Sequence, residues 1–220
     1  MMSKNKVGEA YDQITQRWEA PHFDFTNGIA AHEKAIAFSK NFDLAQKHIS
    51  TQKQTSTQST KNALDVGCGC TNRIINLLER HQFQVDAIDV SEQMLIKAKQ
   101  LPSNANYYHQ DIQTWLPEKS YDFISAWDSV WHLPLQQQIP VMTKLYQALT
   151  TQGVLIFSFG GTKDADEHQN NAMGPTIPYS TLGTRGFLEL FLSLGADCCH
   201  LEFDQYPELH AYMIVKKPEG

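Results

Sequence analysis

A short apolar run, a glycine turn and an amphipathic segment follow one another early in the chain. Residues 63–66 are apolar enough for a buried strand, and Gly67 and Gly69 allow the positive backbone angles of a tight turn. Residues 72–80 then carry apolar side chains at helical spacing, and residues 83–89 form a second apolar run that ends in an acid. This succession predicts a βαβ unit, in which a helix connects two parallel strands.

The alternation of strands and helices continues to the end of the chain. Two runs near the end, residues 197–203 and 211–216, are joined by a short turn and must therefore pair antiparallel. The sequence predicts an α/β fold with a Rossmann-like, mostly parallel seven-stranded sheet, helices on both faces and a final antiparallel strand. The strands are predicted at residues 63–66, 83–89, 106–110, 121–127, 154–159, 197–203 and 211–216, and the later helices at residues 91–100 and 135–149. Pro134 and Pro140 are expected to confine the start of the last helix, because proline is tolerated in the first turn.

Three regions are distinguished by their composition. Residues 1–61 are predicted to form an N-terminal helical cap followed by a polar connector, because residues 50–61 contain no apolar side chain. Residues 62–220 are predicted to form the α/β core. Within the core, the long insertion at residues 160–184 is predicted to be a lid or an acceptor-binding loop. The alternative is a disordered loop on the surface.

The overall composition excludes several classes of protein. A formal charge of −6 argues against a nucleic-acid binder, which normally presents a basic face. Cys198 and Cys199 are adjacent, and adjacent residues of a strand point to opposite faces, so they form a poor disulfide pair. No metal-ligand spacing is present, and no metal is predicted. Without a secretory signal or a membrane-spanning run, we expect a cytoplasmic protein with no membrane partner.

Several candidate binding residues lie where the predicted strands end. Asp65, Asp89, Asp111 and Trp127 all lie at or near carboxyl ends of strands, which is where parallel sheets bind ligands. The Asp89 carboxylate can accept hydrogen bonds from both hydroxyls of a ribose, so the βαβ unit is suited to a nucleoside. The alternative is a surface carboxylate that caps the helix beginning at Ser91.

Five segments carry a resemblance to a known family. Residues 64–69 (Leu-Asp-Val-Gly-Cys-Gly) and residues 87–95, together with residues 108–112, 121–124 and 153–157, resemble the class I S-adenosylmethionine-dependent methyltransferases of the small-molecule type. The resemblance extends over residues 62–217. The family often has a glycine where this chain has Thr71, which suggests that the Thr71 hydroxyl caps the following helix instead.

The resemblance implies a cofactor and a set of contacts. The cofactor would be S-adenosyl-L-methionine, with S-adenosyl-L-homocysteine as the product. Asp111 would accept a hydrogen bond from the adenine amino group, and Ile112 and Met94 would flank the ring; the alternatives are an exposed turn aspartate and a core methionine. Asp65 would orient the glycine turn or reach the cofactor's amino group through a water, or have a purely structural role. The implied cofactor-binding residues are Asp65, Gly67, Cys68, Gly69, Asp89, Val90, Met94, Asp111, Ile112, Trp127 and Tyr11.

The reaction would be an in-line displacement, in which the enzyme aligns and desolvates the reactants. His132 lies where the family places groups that face the transferred methyl, and it is the candidate catalytic base. Its alternative role is a structural hydrogen bond before Pro134. Tyr11 and Trp18 are predicted either to close over the cofactor or to belong to a helical core.

The acceptor is predicted to be a small molecule of unidentified chemistry. The segment after the fourth strand, residues 126–129, lacks the Asn-Pro-Pro-Tyr or Asp-Pro-Pro-Tyr pattern of base-directed amino methyltransferases, and no Pro-Cys nucleophile is present. Three alternatives remain open: a protein or tRNA acceptor, a non-catalytic protein that binds S-adenosylmethionine, and a nucleotide-dependent oxidoreductase.

Overall fold

The computed structural model describes residues 5–19, 23–49 and 60–219, and for residues 40–49 it describes the helical backbone. The helices are α1 (Lys6–Asp12), α2 (Ile29–Ile49), α3 (Arg73–Arg80), α4 (Glu92–Ala98), α5 (Leu135–Gln147) and α6 (Gly183–Ser193), with 3-10 turns at Thr15–Trp18 and Val130–His132. The strands are β1 (Lys61–Val66), β2 (Phe83–Asp89), β3 (Asn106–His109), β4 (Tyr121–Ala126), β5 (Leu149–Gly160), β6 (Asp166–Asn170), β7 (Ile177–Thr181), β8 (Asp197–Glu202) and β9 (His210–Lys216). Residues 50–59 of the predicted connector lie outside the described residues, and Lys61 already belongs to β1.

The described residues form one seven-stranded sheet in the order β3-β2-β1-β4-β5-β9-β8. β1 to β5 pair in parallel, whereas β9 runs antiparallel to both of its neighbours. The predicted sheet, with its antiparallel final strand, is confirmed. The strand order reverses between β1 and β4, so their carboxyl ends open a crevice at this point of the sheet.

Helices cover both faces of the sheet, as predicted. Along β4, the buried side chain of Phe123 packs in the cluster that includes α2 and α3 residues, and that of Ile124 packs in the cluster that includes α5 and α6 residues. This alternation places one apolar layer on each face of the strand. None of the helices in the described ranges is long and apolar enough to cross a membrane.

The insertion at residues 160–184 is a β-hairpin for part of its length and not the continuous loop that was predicted. β6 pairs antiparallel with β7. Ile177 of β7 is buried against Ala10 and Ile14, which lie in and just after α1. The hairpin and the N-terminal segment therefore pack on each other at the carboxyl ends of the strands.

Two local predictions are wrong. Thr71 does not cap α3: its hydroxyl accepts a hydrogen bond from the Arg73 guanidinium (3.1 Å), and the N-cap residue is Asn72, in a left-handed conformation with φ of 52°. Pro140 was expected to confine the start of α5, but it lies inside that helix, which begins at Leu135 and continues to Gln147. One missing N–H removes one backbone hydrogen bond, and the buried face of α5 outweighs that loss.

Candidate functional site

A cavity of about 320 Å³ opens at the carboxyl ends of β1, β2 and β4. The strand-order reversal separates the loops that follow these strands, and α1 covers the opening from above. All but one of the predicted site residues line this cavity: Gly67, Cys68, Gly69, Asp89, Val90, Met94, Asp111, Ile112, Trp127, Tyr11 and the candidate base His132.

Asp65 is the exception. Its side chain is buried beneath the glycine turn, where it lies beside Ser125 of the neighbouring strand β4. Burial raises its pKa to about 6. The structure therefore places Asp65 behind the wall of the cavity and not among the residues that line it.

The glycine turn and Asp89 hold each other in position. The Gly69 N–H donates to one carboxylate oxygen of Asp89 (2.8 Å), and the Ser91 N–H donates to the other (2.8 Å). Burial raises the pKa of Asp89, while these hydrogen bonds oppose that effect. Because each carboxylate oxygen can accept a second hydrogen bond, Asp89 keeps acceptor capacity on the side that lines the cavity.

Asp111 is joined to the N-terminal segment. The Asn5 side-chain amide donates to Asp111 (2.7 Å), and its oxygen accepts from the Val7 N–H (2.9 Å) as the N-cap of α1. The Gln113 N–H donates to the other Asp111 oxygen (2.9 Å). Asp111, the carboxylate predicted to bind adenine, thus also holds Asn5, the N-cap residue of the helix that covers the cavity.

The other end of α1 is anchored on the loop after β2. Asp12 accepts hydrogen bonds from the Ser91 hydroxyl (2.6 Å) and the Gln93 N–H (3.0 Å). Between the two anchors, Gly8 packs so closely that a Cβ atom there would lie 2.3 Å from the Val90 carbonyl oxygen. Tyr11 lines the cavity and also packs against the apolar cluster of Ala10, Ile14 and Ile177.

His132 is buried and bonded at both ring nitrogens. Nδ1 lies 2.9 Å from the Pro178 carbonyl oxygen, which can only accept, so Nδ1 carries the proton. Nε2 then accepts from the Tyr11 hydroxyl (2.6 Å) and the Trp131 indole (2.9 Å). Burial lowers the pKa of His132 to about 4. The imidazole is therefore neutral and fixed, and it links α1 to β7.

A network of charged groups at the same cavity was not among the predicted site residues. His210 lies between two carboxylates, with Nδ1 2.5 Å from Asp204 and Nε2 3.0 Å from Asp128. Burial alone would lower the pKa of His210, but its hydrogen bonds to both acids outweigh burial and raise it. Both ring nitrogens donate to carboxylates, so His210 is an imidazolium.

Arg73 extends this network to the glycine turn. Its Nε donates to the Asn27 carbonyl (2.9 Å), and a terminal nitrogen lies 3.9 Å from Asp128. Arg73 lines the cavity beside Gly67 and Cys70. The position of Asp128 directly after β4 was a usable signal, whereas nothing in the sequence connected Arg73 or His210 with it.

The strand order, the glycine turn and the acid at the end of β2 agree with the resemblance to the class I S-adenosylmethionine-dependent methyltransferases. Residues 63–153 match a family model described as a methyltransferase domain. The chain is 29% identical over 150 residues to malonyl-[acyl-carrier protein] O-methyltransferase 1 of Ilyobacter polytropus, a match covering 64% of this chain and 55% of that protein. It is 31% identical over 131 residues to malonyl-[acyl-carrier protein] O-methyltransferase of Bacillus anthracis, covering 56% and 47%. The chain thus spans about half the length of the curated relatives it matches.

Solved structures share the fold over almost the whole chain. The N-methyltransferase NodS of Bradyrhizobium japonicum, in complex with S-adenosyl-L-homocysteine, superposes with a TM-score of 0.65 at 13% identity, covering 98% of this chain and 100% of that one. Magnesium protoporphyrin IX methyltransferase of Synechocystis, with bound S-adenosylmethionine, gives a TM-score of 0.63 at 15% identity, covering 99% of each chain. At these identities the likeness concerns the fold.

Proposed function

We propose that this chain is an S-adenosylmethionine-dependent methyltransferase that transfers a methyl group to a small-molecule acceptor by in-line displacement. The observation that carries the proposal is the glycine turn facing Asp89. A Cβ atom at Gly69 would meet no atom within 4 Å, so there is space for a ligand beside the backbone. The Gly69 N–H donates to Asp89, whose carboxylate can still accept further hydrogen bonds from that ligand. The methyltransferase names of the curated relatives agree with the proposal.

The residues of the cavity fit the parts of this cofactor. Asp89 would accept from the ribose hydroxyls, and Asp111 from the adenine amino group, beside Ile112 and Met94. Among the described residues that line the cavity, Arg73 is the arginine beside the glycine turn. Its guanidinium would hold the carboxylate at the methionine end of the cofactor. When bound, the cofactor supplies a methyl group on a positively charged sulfur.

The chain's own contribution is alignment and exclusion of water. α1 and the β6–β7 hairpin would cover the cofactor, with Tyr11 fixed by its hydrogen bond to His132. Both nitrogens of His132 are already bonded, so we assign it to positioning Tyr11 and not to taking a proton. In this proposal the described residues 5–18 and the insertion at residues 160–184 form the cover, and the rest of residues 62–219 forms the core. The cytoplasmic location stays a prediction.

Calorimetric binding of S-adenosyl-L-homocysteine to the wild type and to Asp89→Asn tests the proposal. Losing the charge of an acceptor that binds two hydroxyls should cost about 2–4 kcal/mol, a drop in affinity of roughly thirtyfold or more. Asp122→Asn is a matched control, because Asp122 accepts from the Asn62 N–H at the opposite end of the sheet.

Two outcomes would contradict the proposal. One is a folded wild type that does not bind S-adenosyl-L-homocysteine. The other is binding that Asp89→Asn and Asp122→Asn change equally. Binding without transfer to any member of an acceptor library would favour a non-catalytic protein that binds the cofactor.

A further inference from the structure

A second cavity, of about 360 Å³, adjoins the first. It lies between the β6–β7 hairpin and the segment that joins β8 to β9. The two cavities share four lining residues: Trp131, Tyr179, Gln205 and His210. A molecule in the second cavity would therefore lie next to whatever occupies the first.

Neither buried histidine at this junction is a free proton acceptor. His132 donates from Nδ1 and accepts at Nε2, and His210 donates from both nitrogens. Asp128 accepts on one oxygen from His210 and the Ser158 hydroxyl (3.1 Å), and on the other from the Asn27 amide (3.2 Å). Neither of these histidines can take a proton from an acceptor, which favours an acceptor whose nucleophile needs no base.

The walls of the second cavity are aromatic and acidic. Trp131 lies beside Tyr179 with ring centroids 6.3 Å apart, and His168 stacks on the outer side of Tyr179 at 5.4 Å and 8°. Asp166 and Glu208 also line this cavity, whereas no lysine or arginine does so among the described residues. These walls suit a planar ring and a positive charge. The His210 imidazolium also lines this cavity, but both of its nitrogens are already bonded to Asp204 and Asp128, so it is not free to hold an anionic acceptor.

We propose that the second cavity binds the methyl acceptor, and that this acceptor is a planar compound with a weakly basic nitrogen, either a ring nitrogen or an aryl amine. The inference rests on the proposed function. The nitrogen lone pair forms the new bond to the methyl carbon while the carbon–sulfur bond breaks and leaves its electron pair on sulfur. The positive charge passes from sulfur to nitrogen, and a proton on an aryl amine leaves afterwards to water.

This class meets the three constraints together. A weakly basic nitrogen is unprotonated at neutral pH and needs no base. The flat ring packs against Trp131 and Tyr179, which line the cavity. The cationic product lies among aromatic faces and carboxylates, which stabilise it as the charge develops.

The test compares three probes of similar size and shape: quinoline, 1-naphthol and 1-naphthoate. Binding to the protein saturated with S-adenosyl-L-homocysteine is followed by calorimetry, and methylated products formed with S-adenosylmethionine are identified by mass spectrometry. We expect quinoline to bind at least tenfold more tightly than 1-naphthoate and to give N-methylquinolinium.

Two substitutions locate the binding. Tyr179→Leu should weaken quinoline binding at least fivefold, and by a larger factor than it weakens the binding of S-adenosyl-L-homocysteine. Tyr206→Leu is the matched control, since Tyr206 is 89% exposed and lines neither cavity, and it should change neither affinity. Trp131→Leu serves as a second variant if Tyr179→Leu does not fold.

Tighter binding or preferred methylation of 1-naphthol or 1-naphthoate would overturn the inference. So would the absence of quinoline binding, or quinoline binding that neither Tyr179→Leu nor Trp131→Leu weakens. In each of these cases retained S-adenosyl-L-homocysteine binding leaves the proposed function standing, whereas a wild type that fails to bind it rejects the proposed function itself.

Discussion

Gly67 and Gly69 flank the same cysteine, and both have positive φ angles, of 70° and 62°. A side chain at each would nevertheless meet different surroundings. At Gly67 a Cβ atom would lie 2.3 Å from the Ser129 Cβ, so this glycine allows β1 and the loop after β4 to approach each other. At Gly69 the corresponding space is open. One glycine therefore serves the packing of the protein, and the other leaves room for a ligand.

Alanine at these two positions should separate folding from binding. Gly67→Ala combines a clash with backbone strain and should lower the free energy of unfolding by roughly 2–5 kcal/mol. Gly69→Ala adds strain alone, about 1–2 kcal/mol, but should weaken S-adenosyl-L-homocysteine binding at least tenfold. Urea unfolding and calorimetry on both variants measure the two effects. Equal losses of stability, or unchanged binding by Gly69→Ala, would contradict this assignment.

The residues that the sequence predicted and those that it missed differ in how they reach the site. Gly67, Gly69, Asp89 and Asp111 lie at the ends of consecutive parallel strands, so a local pattern is enough to find them. His210 reaches the same cavity from the start of β9, an antiparallel strand far along the chain. Its placement depends on how β9 pairs with β5, which no short segment encodes.

At the scale of elements, α1 is too short to be stable alone, with only seven residues. Its position comes from tertiary contacts. Asn5 and Asp12 anchor its two ends, and Ala10 lies in a small apolar cluster with Ile177 of β7. The helix is therefore a cover whose order depends on the loops that it covers.

Gly8→Ala tests this dependence, because here the substitution should destabilise the helix, whereas replacing glycine by alanine usually stabilises one. Alanine normally stabilises a helix relative to glycine by up to about 1 kcal/mol. Here the new Cβ would lie 2.3 Å from the Val90 carbonyl oxygen, a backbone atom that cannot rotate away. We expect α1 to be displaced, with faster hydrogen exchange in residues 6–12 and at least tenfold weaker S-adenosyl-L-homocysteine binding.

Glu9→Ala is the control for Gly8→Ala, since Glu9 is exposed on the same helix. It should leave exchange and binding unchanged. If Gly8→Ala instead slowed exchange and preserved affinity, the close packing of α1 on the loop after β2 would not be needed for binding.

The β6–β7 hairpin shows why some elements could not be predicted. β6 reads Asp-Glu-His-Gln-Asn and all five side chains are exposed, so it has no alternation of apolar and polar residues. β7 contains Pro178, which sequence rules exclude from most strands. The hairpin forms because β7 packs on the 3-10 turn at Val130–His132 and on the N-terminal segment. Only the folded core brings these partners together.

At the scale of the whole molecule, a series of buried hydrogen bonds connects helix α2 to the sheet beneath the site. His32 of α2 is fully buried, with Nδ1 2.7 Å from the Gly28 carbonyl oxygen and Nε2 2.9 Å from the Ser125 hydroxyl. The carbonyl can only accept, so Nδ1 carries the proton and the ring is neutral. This links α2 to β4, beside the buried carboxyl of Asp65.

The neutrality of His32 makes stability depend on pH. Burial lowers its pKa in the folded protein to about 4, from an ordinary value of 6.5. Between these values the unfolded chain binds the proton and the folded chain does not, so the free energy of unfolding must fall as the pH falls. The contribution of His32 is complete above pH 6.5 and is lost on the way to pH 4. His132 has the same lowered pKa and acts in the same direction.

Comparison of the wild type with His32→Gln isolates this effect. Glutamine does not titrate, so only the wild type loses the contribution of His32 as the pH falls. The gap between the two free energies of unfolding, measured by urea unfolding at each pH, should therefore narrow by roughly 2 kcal/mol from pH 7 to pH 5. The buried carboxyl of Asp65 has a pKa raised to about 6 and acts in the opposite direction, but it is present in both proteins and cancels to first order. In Leu192→Gln, which replaces an exposed side chain that does not titrate, the gap to the wild type should stay constant. A constant gap for His32→Gln as well would mean that folding does not change the pKa of His32, which would contradict a buried imidazole held neutral between α2 and β4.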